Sequence, residues 1–295
     1  MAKKINGIVR NVEMLKENIC KIDFESEELA RESLPGQFVN LKCGDSVTPL
    51  LRRPISICDV DKSKGLTTIV FQLKAAGTKL LSRLIPGDEL DLLGPLGKGF
   101  DMSPAYERIL VVGGGIGTFP LLYLLKESRA SLKTAVLGFR DKDFVVMEKE
   151  FEEAVTNKNS KDKNIKIFTD NGSYGEKGLV TDGLTKYIID NKIQIVYACG
   201  PTIMLKNVAI AAKEAGVLCQ LSVEQRMGCG IGACLVCACK AKGVGVEGNN
   251  DINNDINTDI NNDINKDNGK FAPDFIYKHV CKDGPVFWAD ELIFD

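Results

Sequence analysis

The chain has 295 residues, 44% of them hydrophobic, and a formal net charge of −2. That length accommodates two or three domains with real cores, and so balanced a charge gives no electrostatic reason to expect nucleic acid or an anionic membrane as partner. The opening Met-Ala-Lys-Lys leads into no long apolar run, and no stretch approaches the roughly 20 apolar residues of a membrane span, so a cytoplasmic protein is expected.

Residues 1–102 read as short strands. Segments 6–12, 19–24, 37–41 and 67–73 alternate or run apolar, and the pairs Pro35-Gly36, Lys64-Gly65 and Pro86-Gly87 punctuate them. Such spacing predicts a small antiparallel β-barrel. The run Leu51-Arg52-Arg53-Pro54-Ile55-Ser56-Ile57 falls on one of its strands. There Arg53 is suited to grip a pyrophosphate with two parallel hydrogen bonds, and Ser56 to reach a polar ring atom. The alternative is a surface arginine pair and a turn serine. Gly77-Thr78 precedes a helix-like stretch over 79–85, as an anion site or as a plain cap.

Residues 103–220 change rhythm, strands alternating with helical stretches such as 146–157 and 202–215, which implies a parallel α/β sheet. The buried-type strand 108–112 runs straight into Gly113-Gly114-Gly115-Ile116-Gly117 and then a helix. Strand, glycine turn and helix in that order suit a dinucleotide phosphate. However, Phe119 and Pro120 break the G-x-G-x-x-G spacing, and no acidic residue ends the second strand. A variant of the dinucleotide fold is therefore expected. Cys199-Gly200-Pro201 closes the last strand of this segment with small residues that leave room for a flat ring; a bare strand-to-helix turn is the alternative.

Residues 221–295 form a third, small segment, with a low-complexity insert at about 247–269. Its repeat, starting at Asp251, Asp255, Asp259 and Asp263, is too polar to bury a core. Five of the chain's ten cysteines lie in or near this segment's array. Cys229, Cys234 and Cys237 have the C-x4-C-x2-C spacing of a plant-type [2Fe–2S] cluster, within a glycine-rich loop. Zinc, the rival, calls for paired C-x2-C units or histidines, and the sole histidine is His279. For the fourth ligand, Cys281 is favoured over Cys239, whose side chain would share a strand face with Cys237 and crowd it.

Taken in order, Pro35-Gly36-Gln37-Phe38, the Arg52–Ile57 run, Gly94-Pro95-Leu96-Gly97, the glycine turn, Cys199-Gly200-Pro201 and the cysteine array resemble the ferredoxin–NADP reductase superfamily. More closely, the chain resembles the electron-transfer subunits of class 1B dihydroorotate dehydrogenase, nearly end to end. The resemblance implies a multidomain α+β protein: an FAD-binding barrel, an NAD-binding α/β domain and a small C-terminal [2Fe–2S] domain. It implies that Arg53, Pro54, Ile55 and Ser56, with Val70, Phe71 and Gln72, line FAD, and that Gly77 and Thr78 contact its pyrophosphate. Cys229, Cys234, Cys237 and Cys281 match the cluster ligands. NAD would lie over Gly113, Gly114, Gly115 and Gly117. The wider superfamily often carries an aromatic residue where Ile55 stands. Electrons would pass from the FMN of a catalytic partner subunit through the cluster and FAD to NAD+, in a heterotetramer of two subunits of each kind. No general base is expected in this chain. The alternatives are the FAD and [2Fe–2S] subunit of a ferredoxin–NADP or sulfide reductase complex, and a non-catalytic redox sensor.

Overall fold

Alternation of apolar and polar side chains builds the first part of the molecule in the computed structural model, which describes residues 2–44, 48–156, 164–242 and 275–294. Strands β1 (Lys3–Lys16), β2 (Ile19–Glu25), β3 (Phe38–Leu41), β4 (Arg53–Asp61), β5 (Leu66–Gln72) and β6 (Glu89–Leu96) close a barrel in the order β1-β2-β5-β4-β3-β6. Every neighbouring pair in it is antiparallel. Along β6, every second position is buried, and Leu90 and Leu92 meet Ile22, Phe24, Ile57 and Ile69 inside. Each such side chain contributes about 1.5–3 kcal/mol by leaving water.

Two short helices lie on the barrel. In α1 (Glu27–Glu32), the Ser26 hydroxyl accepts from the Leu29 N–H and acidic residues fill the first turn, an ordinary N-cap. Helix α2 (Ala76–Leu81) starts earlier than the sequence reading had it. The Thr78 hydroxyl accepts from the N–H groups of Lys74 (3.0 Å) and Ala75 (3.3 Å), closing the turn before Lys79 is reached.

The second part is a sheet of β7 (Arg108–Gly114), β8 (Leu132–Phe139), β9 (Ile165–Thr169), β10 (Glu176–Lys177), β11 (Ile195–Cys199) and β12 (Leu218–Ser222), all parallel. Helices α3 (Phe119–Glu127), α4 (Glu148–Val155), α5 (Leu184–Asp190) and α6 (Thr202–Glu214) connect them, and one buried apolar cluster fills each face. Helix α3 is apolar all round because it has two neighbours, the sheet and the barrel. Its Tyr123 is fully buried in the barrel core and donates its hydroxyl proton to the Ser33 carbonyl at 3.0 Å.

The C-terminal segment gives the hairpin β13 (Ala238–Lys242) and β14 (Phe275–His279), then β15 (Val286–Trp288). The sheet is not wholly parallel, because β15 runs antiparallel to β12, with Ser222 opposite Val286 and Gln220 opposite Trp288. Val286 and Phe287 are buried there, so this strand covers an edge that would otherwise present unpaired backbone groups. Phe38 and Leu96 of the barrel, Cys237, Val280 and Cys281 of the tail, and Leu110 and Val196 of the sheet share one buried cluster. The repeat from Asp251 and the insert at about 247–269 lie outside the described residues. No helix among the described residues is long and apolar enough to cross a membrane.

Candidate functional site

A cleft of about 930 Å³ separates barrel from sheet. One wall comes from Arg53, Pro54, Ile55 and Ser56 on β4, Val70, Phe71 and Gln72 on β5, and Thr78. The opposite wall comes from Gly114, Gly115 and Gly117 together with Cys199, Gly200 and Pro201. A third side is Met227 and Gly228, which lead directly into Cys229.

Strand pairing sets the first wall. Leu41, Asn40, Val39 and Phe38 of β3 stand opposite Arg53, Pro54, Ile55 and Ser56 in turn. The two adjacent arginines separate. Arg52 gives Nη2 to the Asp91 carboxylate at 2.6 Å and Nη1 to the Asp91 carbonyl at 3.1 Å. Burial opposes the ionisation of Asp91, yet pairing with Arg52 outweighs it and holds that carboxyl below the usual range. Arg53 borders the cleft and donates, among the described residues, to the carbonyls of Leu51 (2.7 Å) and Arg52 (3.2 Å). Among the described residues its charge therefore meets no carboxylate, which suits an anionic pyrophosphate. Gly77 lies behind it: a Cβ there would stand 2.8 Å from Arg53 Nε, so the missing side chain is what lets the guanidinium lie as it does. Thr78 borders the cleft but spends its hydroxyl on its own turn.

On the second wall β7 continues through Gly114, and a tight turn over Gly115–Thr118 precedes α3. Gly115 has φ +56°, which glycine adopts without strain. A Cβ on Gly117 would stand 2.6 Å from the Cys199 carbonyl oxygen, and one on Gly114 would stand 2.6 Å from Met204 Sδ. Gly113 is set back from the cleft against Thr118, across from Cys199 of β11. Two motifs distant in sequence thus pack backbone to backbone, and a flat ligand can lie along them. Burial pushes the Cys199 thiol up to about 12, against a hydrogen bond with Ser222, so it stays protonated. Arg140 stacks on Phe144, 4.2 Å from the ring centroid, and its Nε donates to Asp141 at 3.0 Å.

Past Gly228 the chain curls so that its own N–H groups face sulfur. Cys229 Sγ accepts from Ile231 (3.4 Å), Ala233 (3.3 Å) and Cys234 (3.4 Å). The N–H of Cys229 in turn donates to Cys234 Sγ at 3.3 Å, Gly232 donates to Cys281 Sγ at 3.1 Å, and Cys281 donates to Cys237 Sγ at 3.4 Å. Partial burial opposes the Cys229 thiolate, but these donors outweigh it and bring the thiol down to about 6. Cys281 is driven the other way, to about 12, by burial and by the neighbouring Cys237 sulfur.

Among the described residues no three or more His, Cys, Asp or Glu side chains gather as ligands of a metal ion. The thiols instead form two pairs, Cys229 with Cys234 and Cys237 with Cys281, and Gly232, on the loop between the first two, donates its N–H to Cys281 Sγ. Two pairs, with amides aimed at sulfur, fit a two-iron cluster. Cys239 sits on β13 opposite Lys278, raised to about 11 by burial, and accepts none of these amides. His279 Nδ1 lies 3.6 Å from Asp283 rather than beside a thiol. One residue escaped the sequence reading: Asn40 of β3 donates Nδ2 to the Cys229 carbonyl at 3.1 Å.

Comparison with known proteins agrees with this geometry. Residues 111–209 match the oxidoreductase NAD-binding domain family, and residues 266–293 match the iron-sulfur cluster binding domain of dihydroorotate dehydrogenase B. The dihydroorotate dehydrogenase B (NAD(+)) electron transfer subunit of Caldanaerobacter subterraneus is 36% identical, across 100% of both chains. That of Desulforamulus reducens is 39% identical over 81% of this chain and 90% of its own. Among solved structures, an NADH-dependent reduced ferredoxin-NADP oxidoreductase covers 97% of this chain and 89% of its own, at 28% identity and a TM-score of 0.75. The cytochrome b5 reductase domain of Ulva prolifera nitrate reductase shares the fold at 16% identity with a TM-score of 0.58, covering 72% of this chain and 93% of its own. With relatives this similar along its whole length, the chain belongs to the family of dihydroorotate dehydrogenase B electron transfer subunits.

Proposed function

We propose that this chain carries electrons between a cluster on Cys229, Cys234, Cys237 and Cys281 and a nicotinamide cofactor, by way of FAD held in the barrel–sheet cleft. As a member of its family it is an oxidoreductase subunit working toward NAD+. FAD and the [2Fe–2S] cluster supply the conversion between single electrons and a hydride. The chain's own residues bind and orient. Arg53 clamps the pyrophosphate, with Gly77 giving it room. Pro54, Ile55, Ser56, Val70, Phe71 and Gln72 bound the ring site, with Thr78 at its edge. Gly113, Gly114, Gly115, Gly117, Cys199, Gly200 and Pro201 form the flat bed for NAD. No side chain here is assigned a proton transfer.

The observation that carries this reading is the continuity of a single cleft. It runs from the β4 residues past the glycine turn to Met227-Gly228, next to the first cluster cysteine. The exposed Ile231, Leu235 and Val236 on the cysteine loop offer an apolar contact to an FMN-bearing dihydroorotate dehydrogenase subunit, in a heterotetramer of two of each. A cytoplasmic setting suits ten free cysteines, four of which must remain reduced to take iron. The test is co-purification with that partner and assay of dihydroorotate-driven NAD+ reduction. Assembly without such activity, but with electrons accepted from ferredoxin or sulfide, would hand the chain to the reductase-complex reading. Little oxidation of NADH with an artificial acceptor would mean a sensor.

A further inference from the structure

Asn40 is 1% exposed, on the barrel strand that neighbours β4 on one side and β6 on the other. Its main chain pairs with Pro54, and its carbonyl accepts from Arg52 Nη1 at 3.4 Å, the same guanidinium that is anchored to Asp91. Its side chain leaves the barrel and gives Nδ2 to the Cys229 carbonyl. The amide has only one workable orientation, because turning it would set two acceptor oxygens against each other.

The other half of that amide is unusual. Asn40 Oδ1 is buried with no hydrogen-bond partner among the described residues. A buried acceptor without a donor destabilises a fold, and an aliphatic side chain of the same shape would avoid the penalty. Space has also been kept for the contact from the far side. A Cβ on Gly230 would stand 2.6 Å from Asn40 Nδ2, in a loop residue at φ +76°. The Cys281 half of the array is tied to the barrel differently: the Lys98 N–H donates to the Gly284 carbonyl, and Pro285 packs against Gly97. On the Cys229 half, the side-chain hydrogen bond to the barrel among the described residues is that of Asn40, beside the apolar packing of Met227.

We propose that Asn40 is a positioning residue for the electron relay, pinning the Cys229 end of the cysteine loop to the strand pair that carries Arg53–Ser56 and so fixing the gap between the two redox groups. The inference rests on the functional reading above. Electron transfer falls off steeply with the separation of donor and acceptor, so a cluster loop that drifts from its place slows the relay. A single retained hydrogen bond at the first ligand, with its orphaned oxygen, is accounted for by that requirement.

The test uses the complex with the FMN-bearing partner and compares wild type with Asn40→Leu and Asn40→Asp. Asn40→Leu removes donor and orphan together at nearly constant shape. Its melting temperature should be no lower than wild type, with FAD content and NADH-driven ferricyanide reduction within about twofold. Iron release to a chelator should be about fivefold faster, the factor that one lost neutral hydrogen bond represents. The EPR spectrum of the reduced cluster should change, and dihydroorotate-to-NAD+ flux should fall about tenfold. Asn40→Asp, which sets an acceptor against the Cys229 carbonyl, should move iron release and EPR further the same way. Wild-type EPR, iron release and flux in Asn40→Leu would overturn the proposal. So would joint loss of FAD, melting temperature and cluster in both variants, the mark of a merely structural residue. A wild-type complex lacking a cluster signal or FAD would instead sink the functional reading, and this inference with it.

Discussion

Strands β4 and β5 reach the cleft already packed, with Ile57, Ile69 and Phe71 buried in the barrel core before any ligand is considered. The cysteine loop has little of that. Ile231, Leu235 and Val236 are exposed, and several of its N–H groups are turned toward sulfur rather than toward carbonyls. The cleft is therefore architecture that a cofactor enters, whereas the loop is a wrapping whose stability comes from what it wraps. Damage to the first should weaken one ligand by degrees. Damage to the second should be closer to all or none.

The largest effect expected is at Cys281. Cys281→Ser should remove the cluster's visible and EPR spectra and cut dihydroorotate-driven NAD+ reduction by about a hundredfold or more, while NADH-driven dye reduction through the cleft persists. Cys239→Ser should leave most of the spectrum, and the reverse pattern would reassign the fourth ligand. Next comes Gly77→Leu, whose side chain must displace Arg53. FAD affinity, read by flavin fluorescence titration, should fall about thirtyfold, equivalent to about 2 kcal/mol. The neighbouring arginines sharpen the contrast. Arg53→Ala should weaken FAD about tenfold without loss of melting temperature. Arg52→Ala should lower the melting temperature through its broken pairing with Asp91, yet change FAD affinity little. Smallest is Asp141→Ala: freeing the Arg140 guanidinium should improve the use of NADP+ relative to NAD+ about threefold in steady-state assays.

Much of this was legible in the chain. Strand alternation announced the barrel, and the switch to strands followed by helices announced the parallel sheet. Cys239 lies on β13 opposite Lys278, outside the set of sulfurs that accept the loop amides, whereas the sequence offers only its spacing from Cys237. Other features depend on partners that sequence does not name. Arg52 precedes β4 and Arg53 opens it, and which of the two meets a carboxylate depends on Asp91 across the barrel. Val286–Trp288 is too short for periodicity to reveal, and it takes its direction from β12. Asn40 resembles any polar residue in an apolar strand until the fold brings Cys229 to it.

The hairpin before Cys281 has one further consequence. Lys242 and Phe275 face each other across its two strands, so the two ends of the described chain at this point are held side by side. Lengthening the sequence between such ends costs only logarithmically in closure entropy. The length of the connecting sequence is thereby uncoupled from the address of Cys281, which the paired strands and not the asparagine-rich tandem determine.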